Sequence, residues 1–505
     1  MRITTHSKCD PINPTIIGLF ENEKPDSGRL GKSLAELIQK HQKQKSFSGK
    51  SNESVSTHLS KGEKLQKVIL FGLGEENKLH ETSTRNFGAK MIRASADFQQ
   101  KEINISIPPA LQNHLQALAE GLIMGNYDPA LYKTDEEAKK KGEKKTNTIN
   151  LICTDWNTDQ RSRLEKGKSV GETVNYIRTL VNSAPDQLNT EQLVREIKLT
   201  AKENQMKVTD FDKKKLEKMK MGGILAVNRG SAEPAHMMVI EYNPAPISDN
   251  RKPKTENPLP IVLVGKGIIF DTGGISLKPS THLSDMQLDM AGAAVVLGVF
   301  KLLKQFDIKR RVVGIIPITD NAIGNTAYRP SEIVTTYSGK TVEILNTDAE
   351  GRMILSDALY YGATQYKPEY MIDFATLTGA CMVALGFRTA GLFGNDEELL
   401  DKLNSSGKNT DEGLCVMPIT DADEKGIEGQ LADLANIAHD HAYAGASRAA
   451  AFLKNFITDT KWAHIDIAGT AFTKNPKDYE TTMATGFGVR MMIDFFEKLP
   501  FSVNE

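Results

Sequence analysis

Short apolar runs separated by longer polar or amphipathic stretches recur along the chain. In the first part of the chain, such runs lie at Thr15–Phe20, Lys67–Phe71 and Asn150–Cys153. Their length and flanking turn residues are typical of β-strands, while the segments between them are polar or have a helical spacing of apolar residues. The pattern predicts a small α/β domain at the N-terminal end.

Apolar runs typical of buried strands continue through the rest of the chain, at Ile261–Gly265, Val312–Ile318, Val342–Leu345, Tyr370–Ala375 and His464–Ile467. Helical patterns at Asp289–Leu303 and Arg352–Thr364 lie between them. Strands interleaved with helices favour a largely parallel or mixed sheet that is covered on both faces. We therefore predict an α/β fold class, with a mixed sheet flanked by helices in the larger C-terminal domain. Ligand sites in such folds collect at the carboxyl ends of the strands.

A break in regular structure separates the two parts. A charged helical pattern over Asp159–Leu180 leads into Asn182–Thr190, where proline and small polar residues are typical of a loop. A chain of 505 residues also exceeds the size at which one hydrophobic core stays compact. We predict an N-terminal domain over residues 1–165, a linker helix and boundary over 166–190, and a larger domain over 191–505.

Charge and cysteine content narrow the class of protein. The 63 Lys and Arg residues nearly balance the 64 Asp and Glu residues, so no net field draws the protein to nucleic acid or to an anionic membrane. The four cysteines are far apart in sequence, which indicates neither a disulfide framework nor a cysteine zinc site. The chain shows no signal-like leader and no uncharged apolar run approaching the ~18 residues that span a bilayer. We expect a cytoplasmic protein with small or peptidic partners.

Two loops concentrate ionisable residues beyond what packing explains. The first, Gly265–Asp289, follows an apolar strand and contains Lys266, Asp271, Lys278 and Asp289. The second, Asn346–Arg352, reads NTDAEGR. Its residues Asp348, Glu350 and Arg352 alternate, so an extended backbone would point all three side chains to one side.

Four carboxylates gathered in one place repel one another strongly unless cations neutralise them. Divalent metal ions are the simplest such cations. Oxygen ligands suit Mg²⁺ or Mn²⁺, and Zn²⁺ also accepts carboxylates, so the residue types leave the identity of the ion open.

Each of these residues also has an ordinary structural interpretation. An Asp in a glycine-rich loop is usually a turn or N-cap residue, with a prior for metal binding of only ~10%; Asp285 fits that role. Asp289 could simply complement a helix dipole. Lys266 is harder to dismiss, because apolar runs flank it and would desolvate its ammonium group. His236 and His464 are interpreted as packing residues.

The heptapeptide NTDAEGR is the signature of the leucyl aminopeptidase family, the M17 cytosol aminopeptidases, which the chain resembles. The resemblance extends over roughly Asn182–Glu505 and includes GKGIIFDTGGISLKP, DMAGAA, NTAYRPSEIV, ATLTGA, AAAFLKNFI and KWAHIDIAG. A departure lies at DNAIGNTAYRPSE, where many relatives have a stretch like ENMPSGNAYRPGD. It removes none of the candidate catalytic or metal-binding residues.

The resemblance implies an aminopeptidase that removes residues from peptides with a free N-terminus by means of two divalent ions, Mn²⁺ or Zn²⁺. By resemblance, Asp271 and Glu350 bridge the two ions, Asp348 completes one site, and Lys266 and Asp289 complete the other. Lys278 and Arg352 are implied as the catalytic residues, with Lys278 polarising the substrate carbonyl and Arg352 holding a bicarbonate general base. Residues implied to line the substrate pocket are Met286, Thr376, Leu377 and Gly379. The family also implies a homohexamer.

Two other functions remain as alternatives. A two-metal phosphoesterase also uses clustered carboxylates, but it has no obvious need for Lys266, and NTDAEGR argues against it. A DNA-binding or regulatory role, which occurs in some relatives, finds no support in the near-zero net charge.

Overall fold

The computed structural model describes residues 1–8, 13–61, 64–136, 145–244, 259–440, 443–476 and 478–500. It divides into two compact units. The N-terminal unit comprises residues 1–175 and 475–481, and the C-terminal unit comprises residues 176–474 and 482–505. The division falls inside the long helix Thr158–Asn182. The predicted mixed α/β class is confirmed, with one large sheet flanked by helices in each unit.

The N-terminal unit is built on a six-stranded sheet with the order β1-β6-β5-β2-β4-β3. Only β3 runs antiparallel to its neighbour; the other pairs are parallel. The strands are β1 Arg2–His6, β2 Thr15–Leu19, β3 Ser54–Lys61, β4 Lys64–Gly72, β5 Glu102–Ser106 and β6 Thr148–Ile152. The three apolar runs predicted in this part are therefore confirmed as β2, β4 and β6.

Helices cover both faces of that sheet. On one face, Leu34 and Ile38 of an amphipathic helix join Ile17 and Leu70 of the strands in one apolar cluster. The α-helices of this part are α1 Ser27–Leu30, α2 Lys32–Lys43, α3 Glu81–Ala94, α4 Leu115–Gly125 and α5 Thr158–Asn182. Short 3₁₀ turns lie at Glu76–Lys78, Ser95–Phe98 and Pro109–His114.

The main sheet of the C-terminal unit has nine strands, in the order β16-β15-β18-β14-β9-β11-β8-β7, with β10 paired to β11. Its strands are β7 Lys207–Phe211, β8 His236–Tyr242, β9 Ile261–Gly265, β10 Gly267–Asp271, β11 Val312–Asn321, β14 Tyr370–Ala375, β15 Thr389–Gly394, β16 Gly413–Val416 and β18 Trp462–Asp466. The central strands β18, β14, β9 and β11 are mutually parallel. On one side of them, β8 pairs antiparallel with β11 and β7 pairs antiparallel with β8. On the other side, β15 pairs antiparallel with β18 and parallel with β16. The parallel strands therefore end along one edge.

The run Val342–Leu345 is a strand, but not of the main sheet, where the sequence pattern placed it. It forms β13 (Thr341–Glu343), which pairs with β12 (Ile333–Thr335) and β17 (Leu434–Ala435) in a small three-stranded sheet. The ladder stops after Glu343, and the backbone amides of Leu345 and Asn346 donate to the side chain of Asn436 instead. A further pair, β19 Phe472–Thr473 and β20 Met483–Ala484, is separate.

The helices of the C-terminal unit pack on both faces of the main sheet and complete its core. They are α6 Thr190–Glu203, α7 Lys213–Met219, α8 Gly222–Asn228, α9 Ser280–Leu283, α10 Ala291–Leu303, α11 Glu350–Tyr366, α12 Gly379–Leu385, α13 Glu397–Thr410, α14 Asp421–Gly426, α15 Gly445–Lys454 and α16 Val489–Lys498. Asn189 caps α6 by accepting from the backbone amide of Gln192.

The segment Met286–Leu303, a 3₁₀ turn followed by α10, is long and apolar enough to cross a membrane by length and composition alone. However, 83% of it is buried inside the protein. Its apolar character is explained by packing, because α10 lies against β9, β11 and β14.

Candidate metal centre

The first candidate loop begins where β9 ends, at the edge formed by the parallel strands. Lys266 follows Gly265, and β10 then carries Asp271 beside Asn321 at the end of β11. A Cβ on Gly265 would lie 2.6 Å from the carbonyl oxygen of Gly292 at the start of α10. Glycine at position 265 therefore lets the helix approach the end of the strand and bring Asp289 close to Lys266.

The second candidate loop is a turn that leads into α11. Asp348 lies in the turn, where its backbone amide donates to Asn346 Oδ1 at 2.8 Å, and Glu350 is the first residue of the helix. The extended backbone considered for this heptapeptide is wrong, because Glu350 and Arg352 are helical. Gly351 has a packing reason: a Cβ there would lie 2.6 Å from Lys266 Cε. The glycine of NTDAEGR makes room for the lysine.

The inner part of the site centres on Lys266, whose side chain is only 3% exposed. Its ammonium group lies 2.8 Å from Asp289 Oδ1 and 2.7 Å from Asp289 Oδ2. It also lies 2.8 Å from Glu350 Oε1 and donates to the carbonyl oxygen of Thr376 at 2.9 Å. Thr376 Oγ1 in turn donates to Asp289 Oδ1 at 2.7 Å.

The outer part centres on Lys278, whose side chain is 15% exposed. Its ammonium group lies 2.8 Å from Asp271 Oδ2 and 2.5 Å from Asp348 Oδ1. The other oxygen of Asp271 accepts from the backbone amide of Gly273 and from Asn321 Nδ2, both at 2.8 Å. The two parts together form what we call the carboxylate cluster: Lys266, Asp271, Lys278, Asp289, Asp348 and Glu350.

The electrostatics follow from burial and crowding. Burial, together with the neighbouring charges of Asp271 and Glu350, raises the pKa of Asp348 to about 6. Burial also raises the pKa of Asp289 well above its ordinary value. Burial alone would lower the pKa of Lys266, but the surrounding carboxylates outweigh it and raise that pKa. Without metal ions, the two lysines therefore carry the positive charge that the carboxylates need.

The residues present fit divalent cations. One carboxylate oxygen from each of Asp271, Asp348 and Glu350 lies within 4.8 Å of the others. Glu350 Oε2 is buried and, among the residues that the structure describes, has no hydrogen-bond partner. Such an orphaned oxygen calls for an explanation in a native structure, and an ion is one. All-oxygen donors with an amine alongside suit Mn²⁺ or Zn²⁺.

Arg352 lies in the first turn of α11. Its Nη1 donates to the carbonyl oxygen of Asn436 at 2.7 Å, and its buried Nε has no hydrogen-bond partner within the described part of the chain. Burial lowers the pKa of Arg352 to about 10, although the nearby charge of Glu350 opposes that shift. The side chain therefore remains a cation at neutral pH.

The residues predicted to contact substrate lie at different depths. Thr376 is buried and contacts the inner part of the cluster directly. Met286 and Leu377 are half-buried, and Gly379 is exposed at the start of α12. His464, interpreted from sequence as a packing residue, is fully buried and hydrogen-bonded to Asp373 at 2.6 Å, with its ring stacked against Phe393.

Sequence reasoning missed several residues that support the cluster. Asn321 links Asp271 to the second loop by donating also to the carbonyl oxygen of Thr347 at 3.1 Å. Tyr328 donates to that same carbonyl at 2.8 Å. Asn436 donates from Nδ2 to the carbonyl oxygen of Asn346, and its own carbonyl oxygen accepts from Arg352 Nη1. The family-like stretch NTAYRPSEIV contains Tyr328, but nothing in the local sequence indicates where any of these side chains points.

Profiles of known families match both parts of the chain. The catalytic domain of the cytosol aminopeptidase family matches residues 175–493, and the N-terminal domain of the same family matches residues 16–136. The candidate residues, from Lys266 to Gly379, all lie within the first of these matches.

Individual relatives agree with that assignment. A protein of Wolbachia pipientis wMel named "Probable cytosol aminopeptidase" is 37% identical over 99% of this chain and 96% of its own. A protein of the same name from Chlorobaculum parvum is 37% identical over 98% and 99%. Among solved structures, the bottromycin maturation enzyme BotP in complex with Mn has a TM-score of 0.80 at 26% identity, covering 96% of this chain and 98% of that one.

Proposed function

Because the chain belongs to the cytosol aminopeptidase family, whose members are metal-dependent peptide hydrolases, we propose that its carboxylate cluster releases single residues from peptides with a free N-terminus. The observation that carries this proposal is the convergence of Asp271, Asp348 and Glu350 oxygens within 4.8 Å of one another. The orphaned Glu350 Oε2 beside the buried Lys266 supports it.

Two divalent ions, Mn²⁺ or Zn²⁺, are proposed to bind at the cluster. Lys266 and Asp289 would hold one ion, Asp348 would hold the other, and Asp271 and Glu350 would contribute to both. When bound, such ions lower the pKa of a water and polarise a carbonyl group. The bond from Thr376 Oγ1 to Asp289 orients that carboxylate, and the bonds from Gly273 and Asn321 orient Asp271.

Lys278 is proposed to donate a hydrogen bond to the substrate carbonyl oxygen as negative charge develops on it. It is the more exposed of the two lysines, at 15% against 3%, so it can reach a bound peptide. A positioned donor of this kind is typically worth ~10²–10³ in rate. Lys266, enclosed by Asp289, Glu350 and Thr376, has no such freedom.

Arg352 is proposed to hold a bicarbonate ion that acts as general base. Its charge persists at neutral pH, and its buried Nε is left as a donor. Met286, Thr376, Leu377 and Gly379 are proposed to line the pocket for the first residues of the peptide. Capture of the free α-amine at the cluster would fix the register of cleavage and explain removal of one residue at a time.

The assembly and location are also proposals. Family membership supports a homohexamer, and the names of the relatives support a cytosolic location. Neither depends on the geometry of the cluster.

A single assay tests the proposed reaction. The purified protein should hydrolyse a leucine chromogenic amide in the presence of Mn²⁺ and lose that activity after chelation. The N-acetylated amide is the matched control and should not be hydrolysed, because it lacks a free amine. Equal turnover of both amides would contradict exopeptidase action. Turnover of a phosphate ester but of neither amide would favour the phosphoesterase alternative.

A further inference from the structure

Asp466 is a buried carboxylate outside the carboxylate cluster, at the end of β18. The residue is fully buried. Its Oδ1 accepts from the backbone amides of Leu377 at 3.2 Å, Thr378 at 3.5 Å and Ala468 at 3.1 Å. Its Oδ2 accepts from Thr378 Oγ1 at 2.6 Å. Most of these donors belong to the segment that follows the neighbouring parallel strand, β14.

Two different sets of hydrogen bonds hold that segment. Up to Ala375 the backbone belongs to the sheet: the amide of Lys266 donates to the carbonyl oxygen of Phe374 at 3.0 Å, and the amide of Ile467 donates to the carbonyl oxygen of Ala375 at 2.9 Å. Beyond Ala375 the ladder ends. After Thr376, the backbone amides of Leu377 and Thr378 both donate to Oδ1 of Asp466. The carboxylate of Asp466 therefore accepts the backbone hydrogen bonds that the carbonyl groups of a neighbouring strand would otherwise accept.

The same contact also determines where α12 begins. Thr378 caps that helix by accepting from the backbone amide of Cys381 at 3.1 Å while its hydroxyl proton goes to Asp466. Gly379, the first helical residue, is exposed, and a Cβ there would meet no atom of the described residues within 4 Å. The backbone shaped by Asp466 thus presents an open side next to the cluster.

We propose that Asp466 is a positioning residue that shapes Leu377–Gly379 for peptide binding, an inference that rests on the proposed function. It acts through the loop backbone and not through the metal ligands. Thr376, which touches Lys266 and Asp289, directly follows the part of the segment that the β-ladder holds, so loss of Asp466 leaves the inner part of the cluster in place. The expected effect falls on KM and spares the affinity for metal.

The test compares Asp466→Ala, Asp466→Asn and Asp357→Ala in the full chain. Asp357 is the matched control, since it is also fully buried and accepts from the backbone amides of Tyr337 and Ile224. It lies about two helical turns beyond Glu350 on α11. For each variant, KM and kcat are measured on a leucine amide, Mn²⁺ affinity is measured by calorimetry, and amide hydrogen exchange is measured by mass spectrometry.

Asp466→Ala should raise KM at least about tenfold, as expected for losing hydrogen bonds to a charged group, with Mn²⁺ affinity within about threefold of the wild type. Peptides covering residues 376–386 should exchange faster. Asp466→Asn keeps an oxygen that can accept from the backbone amides, so its KM should lie much closer to the wild-type value than that of Asp466→Ala. Asp357→Ala should leave KM and exchange in residues 376–386 unchanged.

Some results would overturn the proposal. One is a fall in kcat and Mn²⁺ affinity with KM unchanged, which would place Asp466 in the support of the metal ligands. Another is unaltered exchange over residues 376–386. If Asp466→Ala does not fold, Thr378→Val, which removes only the side-chain bond to Asp466 and the helix cap, should raise KM about threefold, and an unchanged KM would overturn the inference. An inactive wild type would overturn the proposed function itself.

Discussion

In the C-terminal unit, the buried side chain of Asp357 and the acids of the carboxylate cluster have different kinds of partners. Asp357, in the middle of α11, accepts from the backbone amides of Tyr337 at 2.7 Å and Ile224 at 3.0 Å, donors that the fold holds in place. At the start of the same helix, Glu350 faces the ammonium group of Lys266 and leaves Oε2 buried without a hydrogen bond from any described residue. The charge of the cluster is neutralised by two lysines, whereas Asp357 is held by backbone amides.

The difference distinguishes a structural carboxylate from one prepared for a ligand. Fixed amide donors satisfy an acid permanently and leave it nothing further to bind. Lysine side chains neutralise charge but are flexible and do not satisfy every oxygen. Acids that are neutralised by lysine side chains can accept metal ions in place of the ammonium groups. A metal centre requires carboxylates that remain available in this way.

The largest expected effect comes from Glu350, whose buried Oε2 has no hydrogen-bond partner among the described residues. Glu350→Gln should reduce hydrolysis of a leucine amide by at least about 10³-fold, because the developing charge loses several kcal/mol of stabilisation by the metal ions. Calorimetry should show a reduced number of bound Mn²⁺ ions. Asp357→Asn is the control and should retain full stoichiometry. Normal turnover by Glu350→Gln would show that the orphaned oxygen has no functional meaning.

The two lysines sharpen the comparison within the cluster. Lys278→Met should lower kcat by ~10²–10³ through loss of a donor to the substrate oxygen, while Mn²⁺ affinity is kept. Lys266→Met should weaken Mn²⁺ binding, because it removes a proposed ligand from the inner part. The measurements are steady-state kinetics and calorimetry on each variant. The same loss of metal affinity in both would mean that the inner and outer parts are not distinct.

Metal binding should also stabilise the fold. With free Mn²⁺ at about 100 times its dissociation constant, the native state gains about 2.7 kcal/mol. The melting temperature in differential scanning calorimetry should therefore rise by several degrees. Asp348→Asn should show a smaller rise and Asp357→Asn the full rise. An equal rise in both variants would indicate binding of Mn²⁺ elsewhere.

The smallest effect concerns Asp357 and pH. Burial raises its pKa to about 7, although backbone hydrogen bonds oppose the shift, compared with about 3.9 in an unfolded chain. Between these two pKa values the folded state binds the proton of Asp357 more tightly than the unfolded chain does. The contribution of Asp357 to stability is therefore complete below about pH 4 and is lost as the pH rises to about 7.

The free energy of unfolding of the wild type, measured with urea in chelator, should therefore fall relative to that of Asp357→Asn over this range. The slope should be at most about 1.4 kcal/mol per pH unit. Subtracting the variant removes the titration of the cluster, which is common to both proteins. A difference that does not vary with pH would show that Asp357 is ionised throughout.

Much of the fold could be predicted from local pattern. Apolar runs such as Ile261–Gly265 and Tyr370–Ala375 correspond to central parallel strands, since such strands are buried on both faces and need continuous apolar sequence. The position of Val342–Leu345 could not be predicted in this way. A short apolar run carries no information about its pairing partner, and a small separate sheet provided it here.

The sequence by itself determined the chemical inventory and the family, because NTDAEGR and the glycine-flanked Lys266 are local patterns. Only the tertiary structure decided which other residues hydrogen-bond to the site residues and hold them in place. Asn436 meets Arg352 across 84 residues of sequence, and Asp466 meets Thr378 across 88. Such hydrogen bonds form only after distant strands end side by side at one edge of a sheet, and no local pattern of apolar and polar residues encodes that proximity.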